Sequence, residues 1–278
     1  MYPTYRLGIE WLNYVVRASS GRGHGIHSPF VYELVTRVLN DPNSYYAFEP
    51  IELLKTKLLR DTTAIDVLDM GAGADGSKNA GTVSANAGKT TMKRKRISGI
   101  AARSVCDRKF GRLLFRLADF TAAEVMVELG TSLGISTAYL ASARPSSAVY
   151  TVEGSAAIAS VARENFSSLG IRNISLLNMS FEDALKRTEL QTLRPGLVYI
   201  DGNHRLEPVM EYFHFFLERV ASQSAIILHD IHWSSEMKKA WTLIRQHPKV
   251  KMSIDIFSAG LVFFRDEFQV RQDFTIRF

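Results

Sequence analysis

The stretch VMVELGTSLGISTAYLASARPSSAVYTVE, residues 125–153, contains in succession the pattern of a strand, a glycine turn, a helix and a second strand that ends in an acid. Its predicted segments are, in order, a buried strand at Val125–Leu129, a turn at Gly130–Gly134, a helix at Ile135–Ala143 and a strand at Ala148–Val152. Short apolar runs such as the two predicted strands favour parallel strands that are covered on both faces. Between these runs, the apolar residues of the predicted helix recur at helical spacing. Glu153 follows the second strand. An acid about 20 residues beyond a glycine turn can accept hydrogen bonds from ribose hydroxyls. The stretch therefore predicts a nucleoside-binding βαβ unit.

The spacing of the glycines indicates which nucleoside is bound. A dinucleotide pyrophosphate favours G-x-G-x-x-G at the start of a helix, whereas Gly130 and Gly134 give G-x-x-x-G. Glu128 stands just before the turn, where a carboxylate would repel a pyrophosphate and suit a cationic ligand. S-adenosylmethionine carries a sulfonium, an ammonium and a ribose but no phosphate, so we expect it as the cofactor. The predicted contacts from this unit are Glu128, Gly130, Thr131, Ser132, Gly134, Glu153 and Gly154.

A second glycine motif competes with the first. Gly71–Gly76 is a literal G-x-G-x-x-G that follows the apolar run Ala64–Met70. The residues after it, Ser77–Thr91, are rich in small and polar types and carry no apolar helical stripe, so the context of a dinucleotide site is missing. We expect an irregular basic loop at about 71–96, which can cover the true site.

Composition sets the class of protein. The chain has 278 residues, of which 46% are hydrophobic and 22% charged, as in soluble globular proteins. It contains no run of 18 apolar residues and no apolar signal-peptide centre near its start, so a cytoplasmic enzyme without a membrane partner is expected. Cys106 is the single cysteine, which excludes disulfide frameworks and multi-cysteine zinc sites within one chain. We interpret it as an inert thiol.

The formal net charge of +6 comes from one region. Between Lys78 and Arg116 basic residues far outnumber the one acid, Asp107. The run Lys93–Arg96 could contact RNA, an anionic substrate or a membrane surface. No aromatic platform or nucleic-acid module accompanies it, so nucleic acid is not the expected partner.

The chain is predicted to have two parts. Residues 1–120 form a mainly helical N-terminal extension, with amphipathic segments at Tyr5–Val16 and Pro29–Leu39. The sequence GRGHGIHSPF lies between these helices, and its His24 and His27 are either structural or part of a substrate mouth. One or two basic helices at Ile97–Phe120 lead into the second part, residues 121–278.

In the second part strands and helices alternate, which predicts an α/β fold with a doubly wound sheet. The further strands are expected at Asn173–Leu177, Leu197–Ile200 and Ala225–Leu228, separated by helices at Ser155–Leu169, Glu207–Val220 and Ser235–Gln246. Two runs near the end, Lys251–Phe257 and Leu261–Arg265, are joined by a short turn and predict an antiparallel C-terminal hairpin.

Polar residues at strand ends supply the candidate chemistry, because ligands of such sheets bind beyond the carboxyl ends of the strands. Asp201 and His204 follow one strand, and Asp230 and His232 follow the next. The two carboxylates could hold a hard divalent cation such as Mg²⁺, and either histidine could act as a general base. Ser180 and Phe181 follow a third strand, where an adenine ring could be bracketed.

Three segments, ELGTSLGISTAYLA, YIDGNHRLEPV and ILHDIHW, resemble class I S-adenosylmethionine-dependent methyltransferases, and most of all small-molecule O-methyltransferases related to catechol O-methyltransferase. The resemblance covers about residues 124–265. It implies a Rossmann-like sheet, a methionine-side loop at Glu128, Gly130 and Gly134, a ribose ligand at Glu153 and an adenine pocket at Ser180 and Phe181. It also implies methyl transfer to a hydroxyl of a small-molecule acceptor, with Asp201, His204, Asp230 and His232 around the methyl group.

The resemblance is incomplete at one position. Asp201 and Asp230 match two metal ligands of the cation-dependent members, but Ile231 replaces an oxygen ligand. A required metal therefore stays open. Three other functions also remain open: an RNA methyltransferase that uses residues 93–116, an NAD-dependent oxidoreductase, and a binding protein without turnover. The sequence also leaves open whether the protein is a homo-oligomer.

Overall fold

Ten strands are defined in the computed structural model, which describes residues 1–19, 27–68 and 92–278. They are β1 Ala64–Leu68, β2 Met92–Arg96, β3 Val125–Leu129, β4 Ala148–Val152, β5 Ile174–Leu177, β6 Leu197–Ile200, β7 Ala225–His229, β8 Met252–Asp255, β9 Ala259–Phe263 and β10 Gln272–Thr275. Eight of them form one sheet in the order β10-β8-β9-β7-β6-β3-β4-β5, and β1 pairs with β2 in a separate antiparallel ribbon.

The order of the central sheet reverses between β3 and β6. From β3 the chain adds β4 and β5 on one side, and then returns to add β6 and β7 on the other, all in parallel. This topology confirms the predicted doubly wound α/β fold and places a switch point above β3 and β6. The predicted C-terminal hairpin is also confirmed: β9 runs antiparallel to both β7 and β8. Strand β8 is shorter than the predicted 251–257, whereas β9 has the predicted length but lies two residues earlier than 261–265.

Helices cover both faces of the sheet. In the described residues they are α1 Thr4–Arg17, α2 Pro29–Leu34, α3 Phe48–Arg60, α4 Ile97–Ser104, α5 Arg108–Phe120, α6 Ile135–Ala143, α7 Ala156–Ser168, α8 Phe181–Lys186, α9 Thr188–Thr192, α10 Leu206–Leu217 and α11 Ser235–Arg245. A π-helical turn at Val35–Leu39 continues α2, so the helical segment predicted at 29–39 has the predicted bounds and differs only in the hydrogen bonding of its last turn. Asn40 closes this turn, because both its backbone N–H and its side-chain amide donate to the carbonyl of Val35.

The sheet has two buried faces because successive strand residues point to opposite sides. Met126 and Tyr199 belong to the core beneath α5, whereas Val127 and Ile200 belong to the core beneath α10 and α11. Strands β6 and β7 are buried along nearly their whole length, which explains their continuous apolar sequences.

Helix α5 joins the N-terminal segments to the sheet. It begins at the cap residue Asp107, whose carboxylate accepts the N–H of Phe110 at 2.8 Å. Its apolar stripe shares one core with α2, the π-helical turn and the strands. The predicted division at residue 120 stays a prediction, although helices from before it and strands from after it share this core.

Three strands escaped the sequence analysis: β1, which lies in the apolar run at 64–70, its partner β2, and β10. The predicted loop at about 71–96 is corrected at its end, because Lys93–Arg96 lies in β2; residues 69–91, with the Gly71–Gly76 motif, fall outside the described residues. Lysine and arginine are compatible with an exposed ribbon because their charged ends stay in water. The third strand, β10, adds to β8 at the sheet edge. None of the described helices is long and apolar enough to cross a bilayer.

Candidate functional site

A cleft of about 810 Å³ opens at the switch point, beyond the carboxyl ends of β3, β4, β6 and β7. Among the predicted site residues, those that line it are Gly130, Ser132, Glu153, Gly154, Ser180, Phe181, Asp201, His204 and Asp230. The volume is in the range of small-molecule sites. The cleft therefore joins the predicted nucleoside side and the predicted catalytic side.

The turn after β3 depends on its two glycines. Gly130 has φ +111°, and a Cβ there would lie 2.1 Å from the backbone oxygen of Asp201. Gly134 has φ +84°, and a Cβ there would lie 2.4 Å from the Phe166 ring. Both conformations disfavour other residues, and both spaces are filled by neighbours. The first glycine brings β3 and β6 together at the cleft floor, and the second seats α6 against α7.

Glu153 lies at the end of β4 with its carboxylate held in place by the backbone. One oxygen accepts the N–H of Ser132 at 3.0 Å and the other accepts the N–H of Ser155 at 2.9 Å. Burial raises the pKa of Glu153, and the two N–H donors offset only part of that rise. Each oxygen keeps a lone pair for a further donor, such as a ligand hydroxyl.

Glu128 takes a different position from the one expected. Its side chain is completely buried below the turn, and its carboxylate accepts hydrogen bonds from the hydroxyls of Thr137 and Thr151. Burial outweighs these donors and raises the pKa of Glu128 to about 7. The side chain therefore supports the turn from beneath and does not line the cleft. Thr131, also buried, bonds to Thr151 in the same polar cluster.

Phe181 and Ser180, the predicted adenine contacts, line the same cleft. Phe181 packs edge-on against Tyr212, with ring centroids 5.6 Å apart. Ser180 caps α8 by accepting the N–H of Asp183 at 3.1 Å. The Phe181 ring is therefore packed against Tyr212 and lies next to the polar N-terminus of α8.

Asp201 lies next to three other polar side chains on the predicted catalytic side of the cleft. Tyr199 donates its hydroxyl proton to Oδ2 at 2.8 Å, and Nδ1 of His229 lies 2.9 Å from Oδ1. Nε2 of His204 lies 3.7 Å from the same Oδ1. Burial alone would raise the pKa of Asp201, but the charge and hydrogen bond of His229, with His204 and Tyr199, lower it to about 2. The carboxylate is therefore ionised at neutral pH.

His229 is a site residue that the sequence analysis missed. Its ring packs 4.9 Å from Phe110 and bonds to Asp201. Burial favours the neutral ring, but the negative charges of Asp201 and Asp230 prevail and raise the pKa of His229 to about 9. The signal was present, because strand alternation puts the end of β7 on the same face as Tyr199.

Asp230 adopts a backbone conformation that is uncommon outside glycine. Its φ is +56°, and two other cleft residues, Ser132 and Asn203, also have positive φ. Its N–H donates to the carbonyl of Ser258 at 2.7 Å. Burial raises the pKa of Asp230, while His229, with Nδ1 3.8 Å from its carboxylate, lowers it less. Strained residues of this kind cluster at functional sites.

The structure does not bring His232 to this cleft. Its Nε2 pairs with Asp255 at 2.8 Å, and its ring stacks on Phe257 with 5.1 Å between centroids. Of the two histidines in the GRGHGIHSPF segment, His24 lies outside the described residues and His27 lies away from the cleft.

The donor set does not match a divalent-cation site. Within the described residues no group of three or more suitable side chains could hold a metal ion. The carboxylates of Asp201 and Asp230 already face His229, and Ile231 is apolar and fully buried. The side chains present therefore do not fit the oxygen-rich coordination of a hard cation.

The cleft does fit S-adenosylmethionine. Gly130 lines the cleft without a side chain, and Glu153 offers acceptors at the tip of the next strand. The region has no phosphate-binding glycine pattern, in agreement with a phosphate-free nucleoside.

Comparisons with known proteins agree with this geometry. The sequence model of a family described as "Methyltransferase domain" matches residues 127–231. A comparison with curated proteins gives no match. Among solved structures, the chain resembles cofactor-bound Rv0187 from MTB, with 22% identity over 59% of this chain and 83% of that one, at a TM-score of 0.52.

Two further structures share the fold. A putative O-methyltransferase from Klebsiella pneumoniae is 20% identical over 60% of this chain and 84% of that one, at a TM-score of 0.52. The O-methyltransferase from Bacillus cereus in complex with SAH is 19% identical over 58% and 83%, at 0.50. The sheet order and the glycine turn agree with these comparisons: the chain has the Rossmann-like fold of methyltransferases, and residues 127–231 match the model of a methyltransferase domain.

Proposed function

We propose that the protein transfers a methyl group from S-adenosylmethionine to a hydroxyl oxygen of a small molecule. The proposal rests on the shared cleft, in which the anchored carboxylate of Glu153 lies at the carboxyl end of β4 and the Asp201–His229 pair lies at the carboxyl ends of β6 and β7. Two of the structural neighbours are described as O-methyltransferases, which supports oxygen as the acceptor atom.

Glu153 and the turn would hold the cofactor. The free lone pairs of Glu153 suit the two ribose hydroxyls, and Phe181 with Gly154 suits the adenine. The Gly130 turn would take the methionine part beside Asp201. Bound there, S-adenosylmethionine supplies a methyl carbon already activated by its sulfonium.

The protein must then align the acceptor and manage its proton. His204 is the proposed general base, because it lines the cleft and its side chain is 28% exposed. His229 would keep its proton at neutral pH and stabilise negative charge that develops on the acceptor oxygen. Asp201 orients His229 through the 2.9 Å hydrogen bond, and Asp230 adds a second carboxylate next to it.

The acceptor side of the cleft is partly apolar. Phe110, Trp233 and Met1 contribute to its wall together with Cys106. Burial raises the pKa of the Cys106 thiol, so it stays protonated and does not compete as a nucleophile. A small acceptor with an apolar body fits this wall better than a polyanion does.

Cofactor binding is tested by calorimetry with S-adenosylmethionine and S-adenosylhomocysteine. We expect micromolar affinity for both and a loss of about tenfold or more in Glu153→Ala, since two ribose hydrogen bonds to a charged group disappear. Glu164→Gln, an exposed change on α7, is the matched control. Equal affinity in wild type and Glu153→Ala would contradict the ribose assignment.

The acceptor atom is tested with methyl-labelled S-adenosylmethionine and a panel of hydroxyl compounds, followed by NMR of the product. An O-methyl product supports the proposal. Transfer confined to nitrogen or to RNA contradicts it, and RNA transfer lost at moderate salt would indicate the basic segment at 93–116 as the substrate track.

A further inference from the structure

Another cavity, of about 1180 Å³, lies toward the far end of α5 from the methyl-transfer cleft. The first turn of α5 contributes Phe110 to the cleft, whereas its last turns contribute Phe115, Arg116 and Phe120 to this second cavity. Part of the wall is His27–Phe30, the described end of the GRGHGIHSPF segment, which the cleft does not use.

Arg116 is the exceptional group in this wall. Its side chain is only 10% exposed. Nη1 donates to the carbonyl of Val38 at 2.7 Å, but Nε is buried with no acceptor. The Asp41 carboxylate lies 4.0 Å from Nε, beyond hydrogen-bond distance, and already accepts from Tyr45 and Asn43. A buried guanidinium whose Nε has no acceptor is unfavourable, and it indicates a missing partner.

The other arginines of the wall have partners. Arg37 pairs with Glu33 at 2.6 Å, and Arg265 pairs with Glu267. The guanidinium groups of Arg37 and Arg265 only donate hydrogen bonds, so neither can serve as the acceptor for Arg116. Nε of Arg116 is therefore a donor in this wall that the described protein atoms leave unused.

The remaining wall combines aromatic rings with the carboxylates of Asp119 and Asp273, which pair with Arg144 and Arg271 outside the cavity lining. Phe30 packs 5.3 Å from Phe268 and 5.6 Å from Phe120, measured between ring centroids, and it remains half-buried. Arg265 lies 4.8 Å above the Phe30 ring. Such a wall favours a flat apolar body, and the planar fork of a guanidinium favours a carboxylate.

We propose that this cavity binds a small aromatic carboxylate, with its ring beside Phe30 and its carboxylate hydrogen-bonded to Arg116. The site is separate from the methyl-transfer cleft, and the proposal does not depend on the acceptor chemistry.

The test uses 1-naphthoate and its neutral analogue 1-naphthamide, titrated into the full chain by calorimetry. We expect saturable binding of naphthoate, and binding of the amide that is weaker by about tenfold or more. Arg116→Met should weaken naphthoate by about tenfold or more. Arg112→Met is the matched control, since this arginine lies one turn earlier on α5 and pairs with Glu52 at 2.8 Å. Binding of S-adenosylhomocysteine to each variant reports that it is folded.

Four results would overturn the proposal: no saturable binding to wild type, equal affinity for acid and amide, equal affinity in folded Arg116→Met, or displacement of naphthoate by S-adenosylhomocysteine. If Arg116→Met does not fold, Gln272→Trp replaces it, because it keeps every charge and adds a ring in the wall. Loss of naphthoate binding in that variant supports the site, and unchanged binding refutes it.

Discussion

Glu128 and Glu153 belong to neighbouring parallel strands, yet only one of their carboxylates reaches the cleft. Glu128 pairs in register with Thr151, so Glu153 stands two residues farther toward the cleft. Glu128 is sealed below the turn and bonded to threonine hydroxyls, while Glu153 is fixed by backbone N–H groups and lines the opening. Their positions along the two strands therefore determine their roles: the carboxylate of Glu128 supports the turn, and that of Glu153 is available to a ligand.

Glu128 makes stability depend on pH. Its pKa is raised from 4.5 to about 7, so the folded protein binds the proton more tightly than the unfolded chain. The free energy of unfolding should fall as pH rises from 4.5 to about 7 and be flat above. The whole change is on the order of 3 kcal/mol. In urea titrations across this range, Glu128→Gln should remove that fall; a difference between variant and wild type that does not vary with pH would contradict the assignment.

His229 and His232 should respond differently to the same change. His229→Gln removes the imidazolium beside Asp201, so kcat should fall by about 100-fold or more with an acceptor found in the panel. His232→Gln alters a pair with Asp255 outside the cleft, so kcat should stay within about threefold. The measurement is steady-state kinetics on folded protein. Similar losses in both variants would place His232 in the reaction after all.

At the scale of elements, the strands and helices that the sequence predicts well are those with a continuous apolar signal between clear stops. The predicted bounds of β3, α6 and β4 are confirmed to the residue. The π-helical turn, β1, β2 and β10 were missed because hydrogen bonds of Asn40 and pairing with distant strands define them.

The same limit applies to the site. Gly130, Glu153 and Asp201 follow directly from strand ends, and the structure brings them together. The side chain of His232 could not be placed by spacing, because the backbone leaves the regular strand pattern at Asp230, where φ is positive, whereas His229 still lies within β7. Beyond that point strand alternation no longer determines direction.

Helix α5 depends on a close contact with α6. A Cβ at Gly111 would lie 2.2 Å from the ring of Tyr139. Gly111→Ala should therefore destabilise the protein by about 1–3 kcal/mol, despite the better helix propensity of alanine. Gly8→Ala in α1 is the control, since nothing lies within 4 Å of its Cβ, and it should be neutral or stabilising by up to about 1 kcal/mol. Thermal unfolding distinguishes them, and equal melting temperatures would mean that α5 and α6 separate at low cost.

At the scale of the whole molecule, α1 is attached to residues near the other end of the chain. Ser19 bridges to Ile276, and Glu10 forms an ion pair with Lys238 of α11 at 2.7 Å. The N–H of Tyr2 donates to Trp233, whose side chain belongs to the cleft wall. These contacts tie α1 to the acceptor side of the cleft, so its docking bears on acceptor binding as well as on stability.

Tyr14 offers the sharpest test of this attachment. Its buried hydroxyl donates to the carbonyl of Ile276 and accepts the N–H of Phe278 at 3.1 Å. Tyr14→Phe leaves both backbone groups without a partner and should cost about 1–3 kcal/mol. Hydrogen exchange should become faster in α1 and in the residues around Ile276 together. Tyr5→Phe, on the exposed side of the same helix, should change neither quantity. If exchange quickens in α1 alone, the helix is held by other contacts and the hydroxyl does not couple the two segments.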